Sequence, residues 1–561
     1  MKIRNILTVI AVTFMSISCN DLLDIEQQGV LNSDIYYQTD QDAQEALAAL
    51  YSTWAVNFVT NNYQSKTLLA DDCYNAGNGP ADNEGNQALC QAYYDATNDN
   101  IKTMYSSYYT IINRANLITD NFQDKADSDI KKLAVAEARF FRAWAHMELV
   151  TLWGNPPLVD RVLTASEGEL ANTPAEETWK FIEEELKEII ASGILTEKNG
   201  PTDQQAGVRP TKQTAQAYLG KAYLHQGKYS EALSQFKAVI ESGKYALAQD
   251  EDYANLFHKE GNYSSEYILS NNTVYDSSNG YTIPWTFAIL SNWIWGNSKF
   301  NIDFATGRFF TNGYNIFWLM GYGFFSPTGK LGEAFEELEG PDGFRMNYSV
   351  KSHDKMVSDV GAYLSGDGQI YGNDGYFRFK RLSREGDIVN ANISAGWEGC
   401  ALNMPDMRYA ELLLMAAEAG FKTGDPSALT WFNMVRERAK APLAVSLDMN
   451  VIQNEFFLET CFEGHRFQDL QRWDRNGDID MTAVLKDKGK FLHYFTTTAP
   501  TDSDPYQRIR TPFENASWTY SVPTQKTRAG FDSYEKLLPY PQSELDVNPK
   551  IVQNKGWDDV Q

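Results

Sequence analysis

The chain has 561 residues, 43% hydrophobic and 22% charged, which suffices for one large globular body or several small ones. A formal net charge of −25 repels phosphate backbones and anionic headgroups, so nucleic-acid binding is excluded as a function class. Aromatics are abundant, with 31 Tyr, 30 Phe and 13 Trp, more than a core alone requires.

The chain opens on "MKIRN", with Lys2 and Arg4, followed by the short apolar run "ILTVIAVTFM". That is the length of a signal-peptide core, well below the roughly 20 residues of a membrane span. Ser16 and Ser18 then precede Cys19, and Asp21, Asp24 and Glu26 follow it. The arrangement is that of a lipobox, in which the cysteine is acylated and becomes the first mature residue. Ser16 stands where such motifs usually carry Leu. Residues 1–18 are thus expected to be a signal peptide, Cys19 the lipid attachment point and 19–40 a tether. Several acyl chains at about 0.8 kcal/mol per buried methylene would make a stable anchor in outer-membrane lipid.

Helical spacing begins near residue 41 in "DAQEALAALYSTWA" and returns in "YSSYYTIINRANLITDNF". It is strongest in "SDIKKLAVAEARFFRAWAHMELVTLWG", where Ile130, Leu133, Ala134, Phe140, Phe141, Trp144 and Leu152 recur on one stripe. Gly154-Asn155-Pro156-Pro157 ends it. Within it Glu137 and Arg142 are expected to pair with neighbouring helices. In "TAQAYLGKAYLHQGKYSEALSQFKAVI", Leu219, Gly220, Tyr223, Ala232 and Phe236 fall where a tetratricopeptide repeat places its packing residues. "RYAELLLMAAEAGFKTGDPSALTWFNMVRERA" reads as a second such pair, joined by "KTGDPS". One repeat cannot bury its own face, so several should stack.

Between these halves the character changes. Residues 270–330 mix Gly, Asn, Ser and aromatics without a helical period, and 365–400 and 495–535 are polar and loop-rich. The reading is a single mainly α body over 41–561, with loop-rich insertions at about 270–400 and 485–535. Ordered loops of this length usually carry function.

Sugar rings stack their C–H faces on Trp and Tyr while their hydroxyls need Asp, Asn or Arg. Trp285, Trp293, Trp295, Phe309, Phe310, Trp318 and Tyr322 offer faces, and Asn292, Asn297 and Arg308 offer hydrogen bonds. The other polar groupings read as structure. Glu463, Arg466, Asp469 and Arg472, three apart, could form an ion-pair ladder along one helix face, and with Phe462, Phe467, Leu470 and Trp473 around them they read as a partly buried structural network. Asp474, Asn476, Asp478 and Asp480 resemble the start of a calcium loop, but the glycine is misplaced and Lys486 stands near the twelfth position. A turn is favoured there over a structural calcium, and no other metal or cofactor is expected. Cys73 and Cys90 flank a Gly/Asn-rich loop and could close a disulfide in an exported chain; Cys400 and Cys461 read as buried free thiols.

Taken together the motifs resemble the SusD/RagB outer-membrane lipoproteins of Bacteroidetes. "EARFFRAWAHMELVTLWGNPPLV" (137–159), "RYAELLLMAAEA" (408–419), "FEGHRFQDLQRW" (462–473) and "LLPYPQSELDVNPKIVQNKGW" (537–557) are similar to the family's segments and follow in its order. Glu455-Phe456 departs from the usual Glu-Arg, and Thr460 from the usual Leu. The resemblance implies about four tetratricopeptide-like helical pairs packed against an irregular binding face. It also implies lipid anchoring at the cell surface and a TonB-dependent barrel of the SusC type as partner. The ligand would be an oligosaccharide, or in some relatives a peptide. From the family's early loop, Asp71, Asp72, Tyr74 and Asn75 are carried over as ligand contacts. No HExxH, GxSxG or P-loop is present, so no catalytic residues are assigned; a glycoside hydrolase is the remaining enzymatic alternative.

Overall fold

The computed structural model describes residues 36–57, 62–76, 83–203, 208–272, 324–352, 374–381, 402–488 and 530–557. It also describes the backbone of short strands at 300–301, 308–311, 314–317 and 363–364, and the single positions 355 and 387. The signal peptide, Cys19, Cys400 and most of the 485–535 insertion lie outside the described residues.

Helix α1 (Asp40–Asn57) starts on a reciprocal cap: Thr39 Oγ1 accepts from the Asp42 N–H at 3.1 Å, and Asp42 Oδ2 accepts from the Thr39 N–H at 2.7 Å. Its buried stripe is Ala43, Ala46, Leu47, Leu50 and Trp54. After α2 (Tyr63–Leu69), strand β1 (Cys73–Ala76) and α3 (Glu84–Gln91) come the two longest helices, α4 (Asp99–Phe122) and α5 (Asp129–Trp153). Asn98 and Ser128 cap them, each side chain accepting from backbone N–H groups of the first turn. Nearly every side chain of α5 from Ala134 onward is buried, whereas Ile130, in the first turn of the predicted stripe, is 38% exposed. Gly154 ends α5 at φ +80°, and a Cβ there would lie 2.8 Å from Leu537. The C-terminal segment occupies that space: Leu538 N–H donates to Leu152 O, and Trp153 Nε1 donates to Pro539 O.

Helices α6 (Ala175–Ser192), α7 (Lys212–His225) and α8 (Tyr229–Glu241) extend the stack, each packed on its predecessor. The small residue expected at the α7–α8 crossing is there for a steric reason: a Cβ on Gly220 would sit 2.5 Å from the Phe236 ring. After α9 (Asp250–Ala254) the chain leaves the stack through β2 (Tyr267–Asn271). It crosses β3 (Phe300–Asn301), β4 (Arg308–Thr311), β5 (Tyr314–Phe317), β6 (Phe324–Pro327), α10 (Gly329–Glu339), α11 (Phe344–Ser349), β7 (Val350–Ser352), β8 (Tyr363–Leu364) and β9 (Tyr376–Arg378). It returns through β10 (Met404–Arg408), antiparallel to β2. The next helix, α12 (Tyr409–Thr423), packs directly on α8, and α13 (Ala428–Arg438) packs on α12. Gly420 here faces Ala428 at 3.0 Å, the same small-residue contact as at Gly220.

The architecture is therefore mainly α, a row of tetratricopeptide-like helical pairs, as expected. The row closes beneath the insert, and the β2–β10 ribbon forms its neck. Helices α10 and α11 within the insert were not legible as helices in the loop-rich reading. The chain ends with α14 (Met449–Glu459), α15 (Arg466–Arg475), α16 (Met481–Lys486) and α17 (Gln542–Leu545). One continuous apolar core runs from Ala43 to Trp557, with a small satellite around Tyr253, Leu256 and Phe257.

Candidate functional site

Two regions connect the insert to the stack. The first is a ribbon: β1 runs antiparallel to β6, pairing Cys73 with Pro327, Tyr74 with Ser326 and Ala76 with Phe324. Thr328 secures its end, with its N–H donating to Asp72 O and its hydroxyl to Asp71 O.

The four first-loop candidates lie in or beside this ribbon, and all are buried. Asp71 accepts from Arg466 Nε at 2.8 Å and Lys330 Nζ at 2.8 Å. Burial alone would raise its carboxyl; the two cations outweigh that and hold it well below the usual carboxylate range. Asp72 Oδ2 accepts from the Phe462 N–H at 2.8 Å, yet no cation among the described residues pairs with it. Burial, aided by the charge of Asp71, pushes it up to about 6. The Tyr74 hydroxyl donates to Asp374 Oδ2 at 2.7 Å, and the Asn75 N–H reaches Cys90 Sγ at 3.4 Å. The four residues carried over as ligand contacts thus also have partners inside the protein. Asp71 ties this ribbon to Arg466 of α15 and Lys330 of α10, and Tyr74 ties it to Asp374 just before β9. Cys73 and Cys90 are separate buried thiols rather than a disulfide, and Cys461 is a buried free thiol as expected.

The second connection is a cluster of buried charge at the neck, which the sequence reading missed. Arg408, at the end of β10, meets Glu266, Glu459 and Glu463. Lys380 also pairs with Glu463, at 2.5 Å. Arg438 of α13 joins Glu266 at 3.0 Å and Glu459. Arg345 of α11 spans Glu339, Glu455 and Glu459 at 2.6–3.0 Å, and Arg436 closes on Glu455 at 2.8 Å. Five cations face five carboxylates, every side chain at most 8% exposed. For Glu459 and Glu463 burial works upward, but the surrounding guanidinium and ammonium charges win and bring each down to about 2. The signal available in the sequence was charge inside otherwise apolar helices, as in "MVRERA" and "NEFFLET".

Glu463, Arg466, Asp469 and Arg472 are in a buried structural network, as expected, but not as a ladder along one helix. Glu463 precedes α15 and pairs with Arg408 and Lys380, while Arg466 pairs with Asp71. Only Asp469–Arg472 is a rung along the helix, at 2.9 Å, and Arg472 also reaches Glu418. Glu137 and Arg142 do pair with other elements, Glu137 with Arg209 and Tyr51 and Arg142 with Glu185 of α6. At the calcium-like stretch the carboxylates diverge. Asp474 binds Lys536, Asp478 binds Lys422 and Asp480 caps α16. No group of three metal-ligating side chains converges among the described residues.

Of the insert candidates, Arg308 lies in β4, where its backbone pairs opposite Phe317; Phe309 pairs opposite Ile316 and Phe310 opposite Asn315. Trp285, Asn292, Trp293, Trp295, Asn297, Trp318 and Tyr322 lie outside the described residues. A separate open recess of about 520 Å³ is lined by Asn155, Asn172, Pro174, Val552, Gln553 and Lys555, among others. Its amides are occupied: Asn172 exchanges hydrogen bonds with the Val552 backbone, and Gln553 does so with Tyr540.

The model of the SusD family matches residues 361–557, and a second family model, described as starch-binding associating with outer membrane, matches 26–224. SusD-like protein P2 of Formosa agariphila is 26% identical across 84% of this chain and 91% of its own. The chain belongs to the SusD/RagB family. Among solved structures, a laminarin binding SusD-like protein superposes with TM-score 0.69 at 23% identity, over 93% of this chain and 100% of that one. Surface glycan-binding protein A from Bacteroides thetaiotaomicron, in complex with laminarihexaose, gives TM-score 0.65 at 22% identity, over 92% and 100%. The family motifs take on a plain physical meaning in this SusD-like chain. Glu137, Arg142, Arg408, Glu411, Glu463 and Arg466 are all internal partners, so the motifs mark how the fold is held. Every insert aromatic singled out above lies between the two matched ranges.

Proposed function

We propose that this chain is a non-catalytic, cell-surface glycan-binding lipoprotein that captures an oligosaccharide and passes it to a SusC-type TonB-dependent barrel. The observation that carries this reading is the insert. In sequence it lies between helices of the row that pack on each other, α8 and α12, and it concentrates Trp and Tyr in a stretch without helical period. Proteins of the same fold that are named for binding laminarin, or solved with laminarihexaose, support a glycan as the ligand class. In this reading Trp285, Trp293, Trp295, Arg308, Trp318 and Tyr322 meet the ligand, while Asp71, Asp72, Tyr74 and Asn75 hold the platform beneath them. Acylated Cys19 moors the chain in the outer membrane; no described helix is long and apolar enough to cross one.

Isothermal titration of the mature chain with laminarihexaose, other oligosaccharides and a peptide panel tests the ligand class. Saturable binding to a glycan, weakened at least tenfold by Trp293→Ala or Trp295→Ala with an unchanged melting temperature, is the expected result. Binding to peptides alone would make this a peptide-capturing member of the family. Glycan turnover abolished by an Asp or Glu substitution would make it a hydrolase. Cys19→Ala should release the protein from envelope fractions, and detergent extracts should yield the barrel bound to the wild type.

A further inference from the structure

The turn between α14 and α15 is gripped from two sides. Toward the β1–β6 ribbon, the Phe462 N–H donates to Asp72 Oδ2 at 2.8 Å, and Arg466 Nε donates to Asp71 Oδ1 at 2.8 Å. Toward the helical row, His465 Nε2 faces Glu411 Oε2 of α12 at 3.6 Å. The turn has little slack, since Phe462 and Gly464 stand at φ +59° and +79° and the Glu463 side chain is tied to Arg408 and Lys380.

The Glu411–His465 contact is a hydrogen bond left unmade. Its 3.6 Å is too long for one, both side chains are at most 5% exposed, and Glu411 Oε2 and His465 Nδ1 have no hydrogen-bond partner. The other carboxylate oxygen, Oε1, is held by Lys221 Nζ of α7 at 2.9 Å, so the carboxyl cannot turn away. One proton on the line between Oε2 and Nε2 would serve both atoms and draw them together. The surroundings favour its retention on the carboxyl. Burial, with the like charges of Asp469 on α15 and Glu463 in the turn, raises Glu411 to about 7 against the pull of Lys221. Burial and the cations Lys221, Lys66 of α2, Arg408 of β10 and Arg381 after β9 keep His465 well below the usual imidazole range, hence uncharged. On the ribbon side Asp72 is raised to about 6, by burial and by Asp71, with Arg466 opposing. Both carboxyls lie above their ordinary values, so each ionisation penalises the fold, over a window of about pH 4 to 7.

We propose that the α14–α15 turn is a proton-operated joint: Glu411 holds a proton that it shares with His465, and loss of that proton loosens the turn between the helical row and the β1–β6 ribbon. The proton moves from the Glu411 carboxyl to solvent, and no other group changes charge with it. An ionised Glu411 repels Glu463 and Asp469, which stand on either side of His465 along the chain, so the repulsion acts on the turn itself. The next residue, Arg466, carries the displacement to Asp71 and so to the end of the ribbon. The inference is independent of the glycan reading.

The test is hydrogen exchange of the mature chain, read peptide by peptide and corrected for the intrinsic rate at each pH. Opening of the peptide over 460–466 should rise about twentyfold or more between pH 5.5 and pH 8, while the middle of α5 keeps its protection. Glu411→Gln keeps the shape and an acceptor for Lys221 but cannot ionise. It should limit the rise to about fivefold, the share that Asp72 supplies. A variant whose turn opens with pH as fully as the wild type would overturn the proposal. So would a wild-type turn equally protected at both pH values, a result that stands even if the variant does not fold.

Discussion

The helical row and the neck solve the same packing problem with opposite materials. At the α7–α8 crossing, contact is apolar and steric: Gly220 lets the Phe236 ring sit where a side chain would be, and Ala232 and Leu219 fill beside it. At the neck, β10, α11, α13 and α14 meet through five cations and five carboxylates with almost no exposure. Apolar packing is the cheaper source of stability, since ion pairs in a dry interior repay their desolvation only when every partner is present. What the neck gains is selectivity of assembly. A charge cluster with complementary partners on separate elements accepts one arrangement of the insert on the stack and rejects shifted ones.

That contrast can be broken most directly at Glu459, which Arg345, Arg408 and Arg438 share. Glu459→Ala should cost about 3–5 kcal/mol, read by urea denaturation, because three buried cations lose a common partner. A loss below about 1 kcal/mol would mean that water enters the neck freely.

Asp72 should respond with the opposite sign. Its folded value, about 6, lies above the ordinary carboxylate value, so its ionisation penalises the fold. The penalty is absent below about pH 4 and complete above about pH 6. Asp72→Asn, which keeps an acceptor for the Phe462 N–H, should therefore stabilise the protein by up to about 3 kcal/mol at pH 7.5 and by nothing at pH 4. Asp71 behaves conversely. Its value is held low by Arg466 and Lys330, so its contribution is present at neutral pH and fades as the solution is acidified below about pH 4.

Within the row, Gly220→Ala should cost about 1–3 kcal/mol by overpacking, and Phe236→Leu in the same chain should recover part of it. A repeat-like pair should show this coupling in a double-mutant cycle; the neck residues, remote from it, should add independently. The smallest effect is expected on the α13–α14 loop, where Val445 is 93% exposed. Val445→Ser should stay within about 0.5 kcal/mol in thermal melts.

The sequence by itself determined the helical row: the apolar spacing of α4, α5, α7, α8, α12 and α13, their caps, the glycines at their crossings and the ordered motifs of the family. These are local signals, set by a period of 3.6 residues and by steric demands a few positions apart. Only the tertiary structure decided which charges meet. Glu463 was read as one member of a network along its own helix, yet it pairs with Arg408 at the end of β10 and with Lys380 just after β9. Asp71 and Asp72 were carried over from a family resemblance, and only the structure supplied their internal partners, Arg466, Lys330 and the Phe462 backbone. The partners lie up to 395 residues apart along the chain. Coulombic attraction and desolvation depend on distance in space and on exclusion of water, neither of which has a period that a sequence can display.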